Sequence, residues 1–86
     1  MKVSPLREAI LAGLRRRRPG ATLCPSEAAR AVYPSDWRKH MEATRREALL
    51  LCDEGLVAIC QAGERIDPQK GFKGPIRLRL ETREPR

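Results

Sequence analysis

Eighty-six residues, 41% hydrophobic and 34% charged, suit one small globular domain: too apolar for a disordered chain, too short for separate substrate and cofactor domains. Eighteen Lys and Arg against eleven Asp and Glu give +7 and a pI near 10.2, which points to a polyanionic partner, although a 14 to 4 excess of Arg over Lys also arises from GC-rich coding. No apolar run approaches the ~20 residues of a membrane span, and the N-terminal residues form no apolar signal region, so the expected location is cytoplasmic.

Ser4 is placed to cap a first helix that opens on Pro5, with Leu6, Ile10, Gly13 and Leu14 at helical spacing. Arg15 to Arg18 run up to a Pro19-Gly20 stop; they suit phosphate contact, but more simply the negative end of the helix dipole. Ala21 to Leu23 is long enough only for an edge fragment. CPSEAAR then opens a second helix, with Cys24 at the cap, Pro25 at the first position and Glu27 at the third, from which a carboxylate reaches back to the cap N–H. Ala28, Ala29 and Val32 give it a narrow apolar face, and Tyr33-Pro34 end it.

Ser35 or Asp36 caps a third segment. Trp37, Met41, Thr44, Ala48 and Leu51 are spaced as one buried seam, the opposite face carries Arg38, Glu42, Arg45, Arg46 and Asp53, and Gly55 ends it. The segment is long for so small a domain, which leaves room for a kink or a short turn near His40-Met41. The period then changes. Leu56 to Cys60 is a continuous apolar run, and Ile76, Leu78 and Leu80 alternate with Arg77, Arg79 and Glu81. Turn residues fill 61–75, so the two runs read as a two-stranded antiparallel hairpin with a long loop. The final ETREPR has no apolar anchor and is expected to fray over 82–86.

Three helices followed by a hairpin is the order of a winged helix-turn-helix, an α+β domain filling residues 1–86 with its core at 5–81. The competing arrangement, a three-helix bundle with an extended tail, leaves the alternation at 76–80 unexplained. In a winged helix the helix before the hairpin enters the major groove and the wing reaches flanking phosphates. Here that helix presents Arg38, Arg45 and Arg46 with Glu42 between them, and the wing offers Arg65, Lys70 and Lys73. The plainer reading of the same helix is a solvated mixed-charge face, with Glu42 and Arg46 paired for ~0.3–0.5 kcal/mol.

The expected partner is therefore nucleic acid, duplex DNA first, bound by a non-enzymatic module such as a transcription regulator. The alternative is a winged helix that docks a protein instead, favoured if Leu49 or Leu50 is exposed. A homodimer suits either reading. One Trp, one Tyr and one Phe leave little for stacking a single strand. A single histidine, His40, and the lack of a Gly-x-Ser-x-Gly motif, a P-loop or metal-spaced ligands argue against catalysis; no catalytic residue, metal, cofactor or small-molecule substrate is expected. Cys24, Cys52 and Cys60 are an odd set without a Cys-x-x-Cys pair, and read as reduced thiols.

Taken together, CPSEAAR, DWRKHMEATRREA, EGLVAICQAGERIDP and KGPIRLRL, in this order over about residues 6–80, resemble a family of small bacterial winged-helix proteins of unknown function. The resemblance implies that fold and supplies no activity or ligand. It marks Glu27, Arg30, Trp37, Arg38, Arg45, Gly55, Gly63, Asp67, Gly74, Pro75 and Arg77 as motif positions. The family pattern carries a proline near the position of Glu42 that splits the long helix. This chain lacks it, which implies a continuous helix; the cysteine-rich segment of some relatives is also missing. A carboxylate in a basic wing repels phosphate, so Asp67 is expected to clamp Arg77 or Arg45 through a bidentate pair, with a small-anion pocket and a DNA contact as alternatives.

Overall fold

The structure is a computed structural model and describes residues 4–81. Helix α1 (Pro5–Arg15) starts as its sequence dictates: the Ser4 hydroxyl accepts the Arg7 N–H, and Pro5 takes the first position. It buries Leu6, Ile10, Leu11, Gly13 and Leu14. Strand β1 (Thr22–Leu23) leads into α2 (Pro25–Val32), where the Glu27 carboxylate accepts the Cys24 N–H at 3.2 Å, as the capping motif requires.

Trp37–His40 is a 3-10 turn that runs straight into α3 (Met41–Asp53). The break falls at His40-Met41, where the segment's length leaves room for a kink or a short turn, and the continuous helix implied by the missing proline is not formed. At the junction the Thr44 hydroxyl donates to the His40 carbonyl at 2.7 Å, a back-bond of the kind that accompanies bends. Thr44, Ala48 and Leu51 are buried while Trp37 and Met41 are only half-buried, so the apolar seam belongs to α3 alone.

Strands β2 (Val57–Gln61), β3 (Glu64–Arg65) and β4 (Arg77–Leu80) complete an antiparallel sheet ordered β1-β4-β2-β3. The expected two-stranded hairpin is thus the centre of a four-stranded sheet. Strand β4 pairs with β2 from Val57↔Leu80 to Cys60↔Arg77, and with β1 through Leu23↔Leu78. Ala62 and Gly63, with φ of 52° and 82°, turn the chain tightly enough for β3 to fold back on β2. Pairing of β4 on both edges excludes a helical bundle with a loose tail.

The helices pack on one sheet face, where Ile10, Leu14, Leu23, Leu51, Val57, Ile59, Ile76 and Leu78 form the core. Each such side chain contributes roughly 1.5–3 kcal/mol by leaving water. Ala58 and Cys60 alternate to the other face yet are also buried. They are small and are flanked across the strands by Arg79, Arg77 and Arg65, which is why Leu56 to Cys60 reads as unbroken apolar sequence.

The long loop is anchored. Ile66 donates its N–H to the Ile59 carbonyl, Ile66 and Phe72 pack on the core, and the Gln61 amide donates to the Lys73 and Pro75 carbonyls. The tail expected to fray, 82–86, lies outside the described residues. Among the described residues no helix is long and apolar enough to cross a membrane.

Candidate nucleic-acid interface

The corner between α2 and α3 gathers charge and aromatic rings. The guanidinium carbons of Arg30 and Arg38 lie 4.3 Å and 4.5 Å from the centre of the Trp37 ring. An indole face carries negative charge density, so it can hold two cations that would otherwise repel. Beside them Tyr33 stacks on His40 with centroids 3.6 Å apart, and His40 Nε2 lies 3.4 Å from the Asp36 carboxylate. Arg30, Arg38 and Lys39 are exposed, and among the described residues none of the three is paired with a carboxylate.

The expected contact residues divide. Arg38 stands in the 3-10 turn, with Arg45 exposed farther along on α3. Arg46 lies 3.9 Å from Glu42, with side chains 65% and 90% exposed, a pair too open to hold either firmly. Lys70 and Lys73 are exposed on the loop between β3 and β4. Arg65 is on β3 with its guanidinium on the Glu81 carboxylate, so its charge already has a partner within the fold. The structure thus brings Arg30 and Arg38 together on Trp37 and sets Arg65 apart.

The proposed clamp is not formed. Asp67 accepts the Gln69 N–H at 3.0 Å and caps a short 3-10 turn, Pro68–Lys70; among the described residues its carboxylate pairs with no arginine. An aspartate before Pro-x is drawn to that local N–H, which costs little chain entropy. Arg77 donates instead to the Thr22 hydroxyl (3.0 Å) and, more weakly, to the Thr22 carbonyl (3.4 Å), tying β4 to β1.

Two further arginines are structural. Arg17 donates to the Gly13 carbonyl at 2.9 Å and to the Glu27 carboxylate, joining the end of α1 to the start of α2. Arg7 grips both oxygens of Glu54, one at 2.9 Å, and so joins α1 to the end of α3. This hydrogen bonding holds the Glu54 carboxyl below its usual range and raises Arg7 above its own. Of the arginine run, Arg15, Arg16 and Arg18 remain exposed.

Reading contact residues from α3 and the loop alone misses Arg30. Its motif position and the aromatic residue seven positions on were the available signals. Burial pushes the Cys52 thiol up, away from the reactive thiolate form. Among the described residues no three His, Cys, Asp or Glu side chains gather closely enough to hold a metal ion. A comparison with the curated proteins finds no match. The family model described as "Protein of unknown function (DUF3253)" matches residues 3–81, and the chain therefore belongs to that family.

Proposed function

We propose that the chain is a non-enzymatic winged-helix module that binds duplex nucleic acid, DNA first, and serves as a transcription regulator. The order α1-β1-α2-α3-β2-β3-loop-β4, with β4 between β1 and β2, supports the winged-helix reading. On it the N-terminal end of α3, with the turn that leads into it, is offered to a groove and the loop bearing Lys70 and Lys73 is the wing. The observation that carries the reading is the trio Arg30, Trp37 and Arg38 at the entrance to α3: two exposed guanidinium groups positioned by one ring, without a carboxylate to neutralise them among the described residues. Such groups form strong charge-assisted hydrogen bonds to phosphate.

Fluorescence anisotropy with labelled duplex DNA, duplex RNA and single-stranded DNA, over a series of salt concentrations, tests this. Duplex DNA should bind most tightly. Three or four phosphate contacts give a log–log salt slope of about −3. Failure to bind any duplex at low salt rejects the proposal. A second reading, docking of a protein, is favoured by one observation: Leu49 and Leu50 are exposed on α3.

A further inference from the structure

We propose that the outer face of the C-terminal half of α3 is a homodimer interface, covered by the same face of a second copy running antiparallel. Arg46, Leu49, Leu50 and Asp53 stand at i, i+3, i+4 and i+7, and so share one face. That face lies opposite the buried Thr44, Ala48 and Leu51. The two leucines are 37% and 47% exposed, and with Pro68 and Gln69 they line a groove of about 270 Å³. Adjacent exposed leucines beside a groove are the mark of a contact surface.

The charge pattern selects the occupant. Arg46 and Asp53 are equally spaced about the midpoint between Leu49 and Leu50. A twofold axis through that midpoint sets each Arg46 against Asp53 of the partner subunit, with the leucines meeting at the centre. A closed dimer must be self-complementary in this way. A phosphate backbone gains nothing from the leucines and is repelled by Asp53. Glu42 does not hold Arg46 back, because that 3.9 Å contact is between two largely exposed side chains. The contact is small, so the dimer is weak and forms with rising concentration. The inference does not depend on nucleic-acid binding, since dimerisation is measured on the protein alone.

Sedimentation equilibrium over a concentration series tests it, with Arg46→Asp and Asp53→Arg run separately and as an equimolar mixture. The wild-type mass should climb from 9.7 kDa toward twice that value. Each single variant faces like charge with like charge at two symmetric places and should dimerise about tenfold more weakly. The mixture should recover association, because each variant's altered residue then meets its opposite. Leu50→Glu, at an exposed position, supplies a variant that should stay monomeric even if a charge variant fails to fold. A wild-type protein that remains monomeric throughout overturns the proposal, and so does a dimer indifferent to all three substitutions.

Discussion

The Tyr33 ring and the His40 imidazole lie 10° from parallel with 3.6 Å between centroids, so the residue that ends α2 is fastened to the residue that ends the 3-10 turn. This stack fixes the corner on which Arg30 and Arg38 meet Trp37. Aromatic pairs contribute roughly 0.5–1.5 kcal/mol beyond the area they bury. His40→Ala should therefore lower the thermal midpoint by about 4–8 °C, at roughly 1 kcal/mol for a domain of this size. Scanning calorimetry of the two proteins checks it, and an unchanged midpoint removes the stack from the account.

Arg30 and Arg38 should differ from Arg65 in a way that charge counting does not foresee. Arg30→Ala and Arg38→Ala should each reduce the log–log salt slope of duplex binding by about 0.9. Arg65→Ala should leave that slope unchanged, because its guanidinium is already on Glu81. Anisotropy titrations of the three variants measure this. Equal slope losses at all three positions would mean that the Arg65–Glu81 pair opens to phosphate.

Thr44 is buried, and its hydroxyl bonds the His40 carbonyl where the 3-10 turn becomes α-helix. Thr44→Val keeps the shape and removes that bond, at a cost of about 1 kcal/mol. Urea denaturation should give a lower midpoint with an unchanged m-value. A stability equal to wild type would show that the back-bond contributes nothing to the junction.

The Arg7–Glu54 pair sets a pH dependence whose sign is fixed. Hydrogen bonding from Arg7 keeps the folded Glu54 below its unfolded pKa. Its stabilising contribution is therefore complete above the ordinary carboxylate value of about 4.3 and is lost as pH falls through the folded value. Arg7 stays charged throughout that window. In Glu54→Gln, thermal midpoints measured from neutral pH downward should fall less steeply than in the wild type. Parallel curves would contradict the linkage.

Local signals were legible in the sequence and distant ones were not. Ser4-Pro5 and the Cys24–Glu27 cap are decided within three or four residues, and both stand as read. Strands β1 and β3 are two residues each, too short for any period, and exist because β4 and β2 pair with them. The partner of β3 is the strand just before it, while that of β1 lies far off in the chain. So do those of Arg17, Arg65 and Arg77, whose contacts Glu27, Glu81 and Thr22 are 10, 16 and 55 positions away. Composition counts these cations without separating the paired from the exposed.

Trp37 misled for a subtler reason. Its spacing to Met41 matches an α-helical seam, yet the 3-10 turn advances about 120° per residue in place of about 100°. Over four residues that rotates Trp37 off the buried face and toward Arg30 and Arg38.

An amide chemical-shift titration of the ¹⁵N-labelled protein with a short DNA duplex tests the nucleic-acid reading most directly, because the chain's single tryptophan supplies an indole N–H signal from the centre of the corner. The account predicts perturbations at Arg30, at residues 37–40 including that indole, at Arg45, and at Lys70 and Lys73. Perturbations confined to the exposed Arg15, Arg16 and Arg18, with the Trp37 indole unmoved at saturation, would contradict it.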